Sequence, residues 1–137
     1  ANFDLNSFQN FFGARPGKVQ RIVLQHVDDR GTLGALEMRP SVSVRSRNFR
    51  FELEAASGLP YPRSGRPIAV FVEIARRTFR YRLLMPRNHN HAIMKALLDT
   101  MWTGRSDRMR RIITNTDVLR QAWPESPLLR MPLEVEE

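Results

Sequence analysis

Three histidines, His26, His89 and His91, are the only imidazoles in the chain, and cysteine is absent. Two of them share the segment Arg87-Asn88-His89-Asn90-His91, where a spacing of two in extended chain turns both rings the same way and offers two ligands to an ion. A complete metal site needs a third and usually a fourth ligand, and no acidic partner stands at a recognisable spacing. A polar loop ahead of a helix, with Asn90 or His91 near its N-cap, accounts for the segment better. A two-metal nuclease also wants a lysine beside paired carboxylates, and both lysines, Lys18 and Lys95, lie away from any such pair. Gly31-Thr32-Leu33-Gly34 and Ser64-Gly65-Arg66 lack the flanking residues of phosphate loops or serine nucleophiles. The chain is therefore expected not to be an enzyme by itself, and no cofactor is expected.

Binding chemistry is better supplied. Of 22 cationic side chains, all but Lys18 and Lys95 are arginine, and the formal net charge is +8. Arginine is a planar fork that lies along a phosphate or the O6/N7 edge of guanine with two parallel hydrogen bonds, where lysine offers a point charge. A GC-rich genome explains the ratio equally well, so position has to decide. The arginines fall into four groups: Arg39, Arg45, Arg47 and Arg50; Arg63 and Arg66; Arg76, Arg77, Arg80, Arg82 and Arg87; and Arg105, Arg108, Arg110 and Arg111. Arg45-Ser46-Arg47-Asn48 and Arg87-Asn88-His89-Asn90-His91 mix arginine with amides, the residue types that read base edges rather than phosphate alone.

The elements that must carry these groups follow from periodicity. Ala1 to Gly17 reads as a lead-in of one or two helical turns anchored by Phe3, Phe8, Phe11 and Phe12, ahead of one domain over residues 18–137. Lys18 to Val27 predicts a strand closed by the turn Asp28-Asp29-Arg30-Gly31, and Leu33 to Glu54 one or two more, broken at Arg45 to Asn48 where the apolar parity changes. Residues 55–67 form a loop. Ile68 to Ile74 and Thr78 to Met85 make a hairpin around Ala75-Arg76-Arg77, in which Phe79, Tyr81 and Leu83 give an apolar face, and Arg80 and Arg82 a cationic one balanced by Glu52, Glu54 and Glu73. Ala92 to Trp102 is a helix ending at Gly104, Arg108 to Thr114 a further strand, and Asp117 to Trp123 a short helix capped by Thr116. The aromatics Phe49, Phe51, Phe79 and Tyr81 alternate into the apolar face and are expected in the core, which favours duplex over single-stranded partners.

Composition is consistent with this. A chain of 137 residues with 42% hydrophobic and 26% charged content fits one globular domain. It has no membrane-length apolar run and no secretory leader, and the lack of cysteine suits a reducing, cytoplasmic setting. A start at Ala1 fits a piece of a longer polypeptide.

The runs Ser46 to Leu53, Tyr61 to Ile68 and Thr78 to Pro86 resemble the B3-type (plant B3-like) DNA-recognition domains of restriction endonucleases, in which the domain is joined to a phospholipase-D-like nuclease; the likeness spans roughly residues 40–100. The resemblance implies a mainly β (α+β) fold, a seven-stranded open β-barrel or pseudobarrel with two or three short helices, gripping the major groove of double-stranded DNA with two arms. One arm would lie within residues 28–48 and the other near Arg87 to His91. On this reading Arg45, Arg47, Asn48, Arg87, Asn88, His89 and Asn90 read bases, while Arg39, Arg50, Arg105, Arg108, Arg110 and Arg111 contact phosphates. The partners are duplex DNA and a nuclease domain in the same polypeptide, with no membrane. About six neutralised phosphates would give a log-log salt slope near −5. An RNA-binding or ribonucleoprotein module and a metal-dependent nuclease using His89 and His91 are the alternatives.

Overall fold

The structure is a computed structural model, and it describes residues 2–3, 7–13, 21–40, 49–50, 53–57, 59, 62–63, 65–105 and 110–130. Two hairpins make the frame. β2 (Arg21–Val27) pairs antiparallel with β3 (Leu33–Pro40), and β5 (Ile68–Ala75) with β6 (Thr78–Leu84). The hairpins join side by side through a parallel pairing of β2 with β6, in which Leu24 stands against Phe79 and His26 against Tyr81. The result is an open four-stranded sheet of order β3-β2-β6-β5, beside a two-stranded ladder of β1 (Asn2–Phe3) and β4 (Phe49–Arg50). The fold is mixed α+β. Six strands occur among the described residues, not seven, and the four-stranded sheet is open rather than closed into a barrel.

Both sheet faces are covered. On one, Ile22, Leu24, Phe79 and Tyr81 pack with Phe12 and Leu53. Phe12 follows the π-helical turn Ser7–Phe11, and its ring meets Phe71 and Phe79 edge-on at 5.0 and 4.9 Å, the arrangement that aromatic quadrupoles favour. On the other face, Val27, Val72 and Leu84 pack against Met94 of α1 (His91–Met101), Leu119 of α2 (Thr116–Ala122), Trp123, and Leu128 of α3 (Pro127–Arg130).

This layering overturns one expectation. Arg80 and Arg82 do not form a solvated cationic face: they are only 9% and 4% exposed, because they share the face of Leu84 and Val72, which Met94, Leu119, Trp123 and Leu128 cover. Phe79 and Tyr81 are in the core as expected, whereas the side chains of Phe49 and Phe51 lie outside the described residues. Glu54 is exposed but belongs to a 3-10 turn (Glu54–Ala56) rather than a strand, Glu73 is exposed on β5, and Glu52 lies outside the described residues.

Helix ends differ in detail. Asn115, not Thr116, caps α2, its side-chain oxygen accepting from the Val118 N–H at 3.1 Å. α1 ends with Trp102 at its C-cap, not Gly104. Gly104 is there for closeness, since a Cβ on it would fall 2.2 Å from the Trp102 ring. The strand expected at Arg108 to Thr114 is not formed over residues 110–114, where Arg110 turns instead to Asp99 on α1 at 2.9 Å. α3 was not anticipated, although Ser126-Pro127 carries a helix-start signal, with the Ser126 hydroxyl accepting from the Leu128 N–H at 3.2 Å.

Candidate nucleic-acid interface

Because β2 and β6 run parallel, their carboxyl ends leave the sheet on the same side, and the antiparallel partners β3 and β5 begin there. Three connections therefore share one end of the sheet: the turn after Val27, the segment leading to Ile68, and the loop from Met85 to Asn90. They carry Arg30, Arg63, Arg66, Arg87 and His89, all exposed.

Local chemistry fixes each connection. In the turn, the Asp28 carboxylate accepts from the backbone N–H groups of Arg30 and Thr32, both at 2.9 Å, and Gly31 takes a φ of +82°. The Thr32 bond, followed by the Arg30 one, holds the Asp28 carboxyl below the usual carboxylate range. In the loop, Asn88 accepts through its side-chain oxygen from the Asn90 N–H at 2.8 Å and through its carbonyl from the His91 N–H at 2.9 Å. His91 opens α1 with its ring buried and Nε2 2.8 Å from the Arg66 carbonyl, which ties the third segment to the loop.

The expected residues separate on this frame. Arg87 and His89 are exposed at the shared end, and Asn90 stands half-buried there as the N-cap of α1. Asn88 is there too, but its side chain is committed to the Asn90 N–H in the loop and to Asp29 in the turn after β2. Arg39 lies towards the opposite end, opposite Ile22, and is drawn to Glu37 and Glu54 at 3.7 and 3.5 Å. Arg110 is paired with Asp99 beside the last turn of α1, about 13 Å along the helix from Asn90 at 1.5 Å per residue. Arg105 is exposed and Arg111 half-buried. Arg45, Arg47, Asn48 and Arg108 lie outside the described residues, as does the Arg50 side chain. Pro40, which precedes the first three, pairs with Arg21 at the end of the sheet opposite Arg87.

Arg30, Arg63 and Arg66 were not anticipated as a group with Arg87. Each was visible as a turn or loop residue, but their convergence depends on the parallel β2–β6 pairing, which no local pattern announces. The histidine pair is divided, with His91 buried on a carbonyl and His89 exposed. Among the described residues no group of three or more side chains is arranged to hold a metal ion, and no helix is long and apolar enough to cross a membrane. No protein-family model, curated protein or solved structure matches this chain.

Proposed function

We propose that this chain is a sequence-specific duplex DNA-binding domain that docks by the sheet end carrying Arg30, Arg63, Arg66 and Arg87. The observation that carries the reading is that the exposed Arg30, Arg66 and Arg87 lie on the three connections that share one end of the sheet, with Arg63 further along the segment leading to Ile68, and that the half-buried Asn90 and exposed His89 lie in the Arg87 loop. Guanidiniums supply the phosphate attraction that drives association, and a fork beside an amide is the pairing that distinguishes guanine and adenine in the major groove. The finer proposal follows the B3-type resemblance: a seven-stranded open barrel serving as target-recognition domain of a restriction endonuclease, with the nuclease in the same polypeptide. Arg87, His89 and Asn90 are its base readers at this end, joined by Arg45, Arg47 and Asn48, and Arg30, Arg63 and Arg66 its phosphate contacts.

Selection of bound duplexes from a random pool, followed by a salt titration on the selected site, tests the reading. The three phosphate contacts, Arg30, Arg63 and Arg66, give a log-log slope of about −2.7, and each further phosphate neutralised steepens it by about 0.9. A flat slope, an unenriched pool, or stronger competition by structured RNA than by duplex would each count against it.

A further inference from the structure

We propose that Arg82 is a positioning residue: a buried clasp that sets the turn after β2 and the loop before α1 in fixed relation, so that Arg30 and Arg87 meet DNA as one surface. This rests on the DNA-binding reading. Arg82 is 4% exposed and stands opposite Val70 on β5, where an apolar side chain would pack without taking a charge out of water. Among the described residues its Nε finds no hydrogen-bond partner, so the side chain is not there for the completeness of its own bonding.

What the guanidinium does reach lies at the interface end. Nη1 donates to the Val27 carbonyl at 3.3 Å, where β2 ends, and Nη2 donates to the Asp29 carboxylate in the turn. The same Asp29 oxygen lies 3.5 Å from the Asn88 side-chain nitrogen in the loop. Asn88 in turn holds the Asn90 and His91 N–H groups, and His91 holds the Arg66 carbonyl. A single chain of polar contacts beginning at Arg82 thus passes through all three segments of the interface. Asp29 is 68% exposed, so the clasp can be opened from its outer end without carving into the core.

The test compares wild type with Asp29→Ala and with the double variant Asp29→Ala/Arg82→Met. Backbone amide exchange at Asn90 and His91 is followed on free protein, and binding is followed on the selected duplex against single-base-pair mismatches. Asp29→Ala alone strands a buried charge and lowers stability; the methionine of the double variant removes that charge and recovers it. The expected result is that both variants exchange the Asn90 amide about tenfold faster, on the scale of one lost hydrogen bond. Both also lose about tenfold in mismatch discrimination, the scale of one base contact, with the salt slope unchanged. Recovery of discrimination along with stability in the double variant would overturn the proposal, leaving Arg82 a stabilising residue only. Wild-type exchange at Asn90 in both variants would overturn it as well. If no protein binds duplex, the DNA reading fails and, with it, the role of the clasp in recognition, while the exchange rates still decide whether the clasp exists.

Discussion

Replacing Tyr81 by Phe removes one oxygen from a polar cluster built around a buried ring. The ring is 0% exposed, and its hydroxyl donates to Glu37 Oε2 at 2.7 Å while accepting from the Ala55 N–H at 3.2 Å. Glu37 keeps the Glu54 N–H at 2.9 Å and the Arg39 guanidinium at 3.7 Å, so its carboxylate is not left bare. The loss is therefore one hydrogen bond to a charged group, about 1.5–3 kcal/mol, plus about 1 kcal/mol for the stranded Ala55 N–H. A total of about 2.5–4 kcal/mol is a large share of the roughly 5–15 kcal/mol that holds a domain folded. In urea it moves the midpoint down by about 1–2 M at an unchanged slope of about 2 kcal/mol/M. The same contact makes a pH signature. Burial first, and then the neighbouring Glu37, pushes the Tyr81 hydroxyl well above its ordinary value. The folded state thus holds a proton that the unfolded chain releases above about pH 10, and the stabilisation is lost as pH rises beyond that point. The gap between wild type and Tyr81→Phe should narrow there. An unchanged midpoint at neutral pH would refute the reasoning, because it would mean that the hydroxyl is as well solvated in the unfolded chain as it is bonded in the core.

Further outcomes follow from other contacts. Asn115→Ala removes the cap of α2 and should cost about 1 kcal/mol by urea denaturation. His26 is held below its ordinary pKa, first by burial and then by Arg82; its neutral form contributes stability above about pH 6.5 that is lost as pH falls through the folded value, and His26→Gln should flatten that acid limb of the denaturation profile. Arg87→Ala should relax discrimination at one position of the selected site, whereas Arg120→Ala, on α2 and paired with Asp117 at 2.9 Å, should leave affinity unchanged in the same gel-shift series.

The sequence announced what is local. The β5–β6 hairpin is legible because Phe79 and Tyr81 alternate beside a short turn, and α1 because Met94 and Leu97 recur at helical spacing. The burial of Arg80 and Arg82 was not legible, since alternation within one strand cannot say whether the face it turns outward is covered by a layer of helices. The Asp28 turn was read as a turn, yet that Arg30 would stand at the same end as Arg87 depends on the parallel direction of β2 and β6. The expected pairing of Arg45 to Asn48 with Arg87 drew on the arginine–amide mixture both segments share and on the B3-type resemblance; Arg45 to Asn48 lie outside the described residues, and Pro40, which ends β3, is on the far side of the sheet from Arg87.

The parallel seam also orders the way the chain assembles. Each hairpin is closed by a short turn and can form within microseconds, but Gln25 and Arg80, which face each other across the seam, stand 55 residues apart. Closing that long loop is an entropic debt met only when Leu24 and Phe79 bury each other, so the seam sets the folding rate. The sheet end shared by the turn after Val27 and the loop from Met85 comes into being at the same step. Until then Arg30 and Arg87 belong to two unconnected hairpins, and the seam brings them to one end of the sheet in a single step.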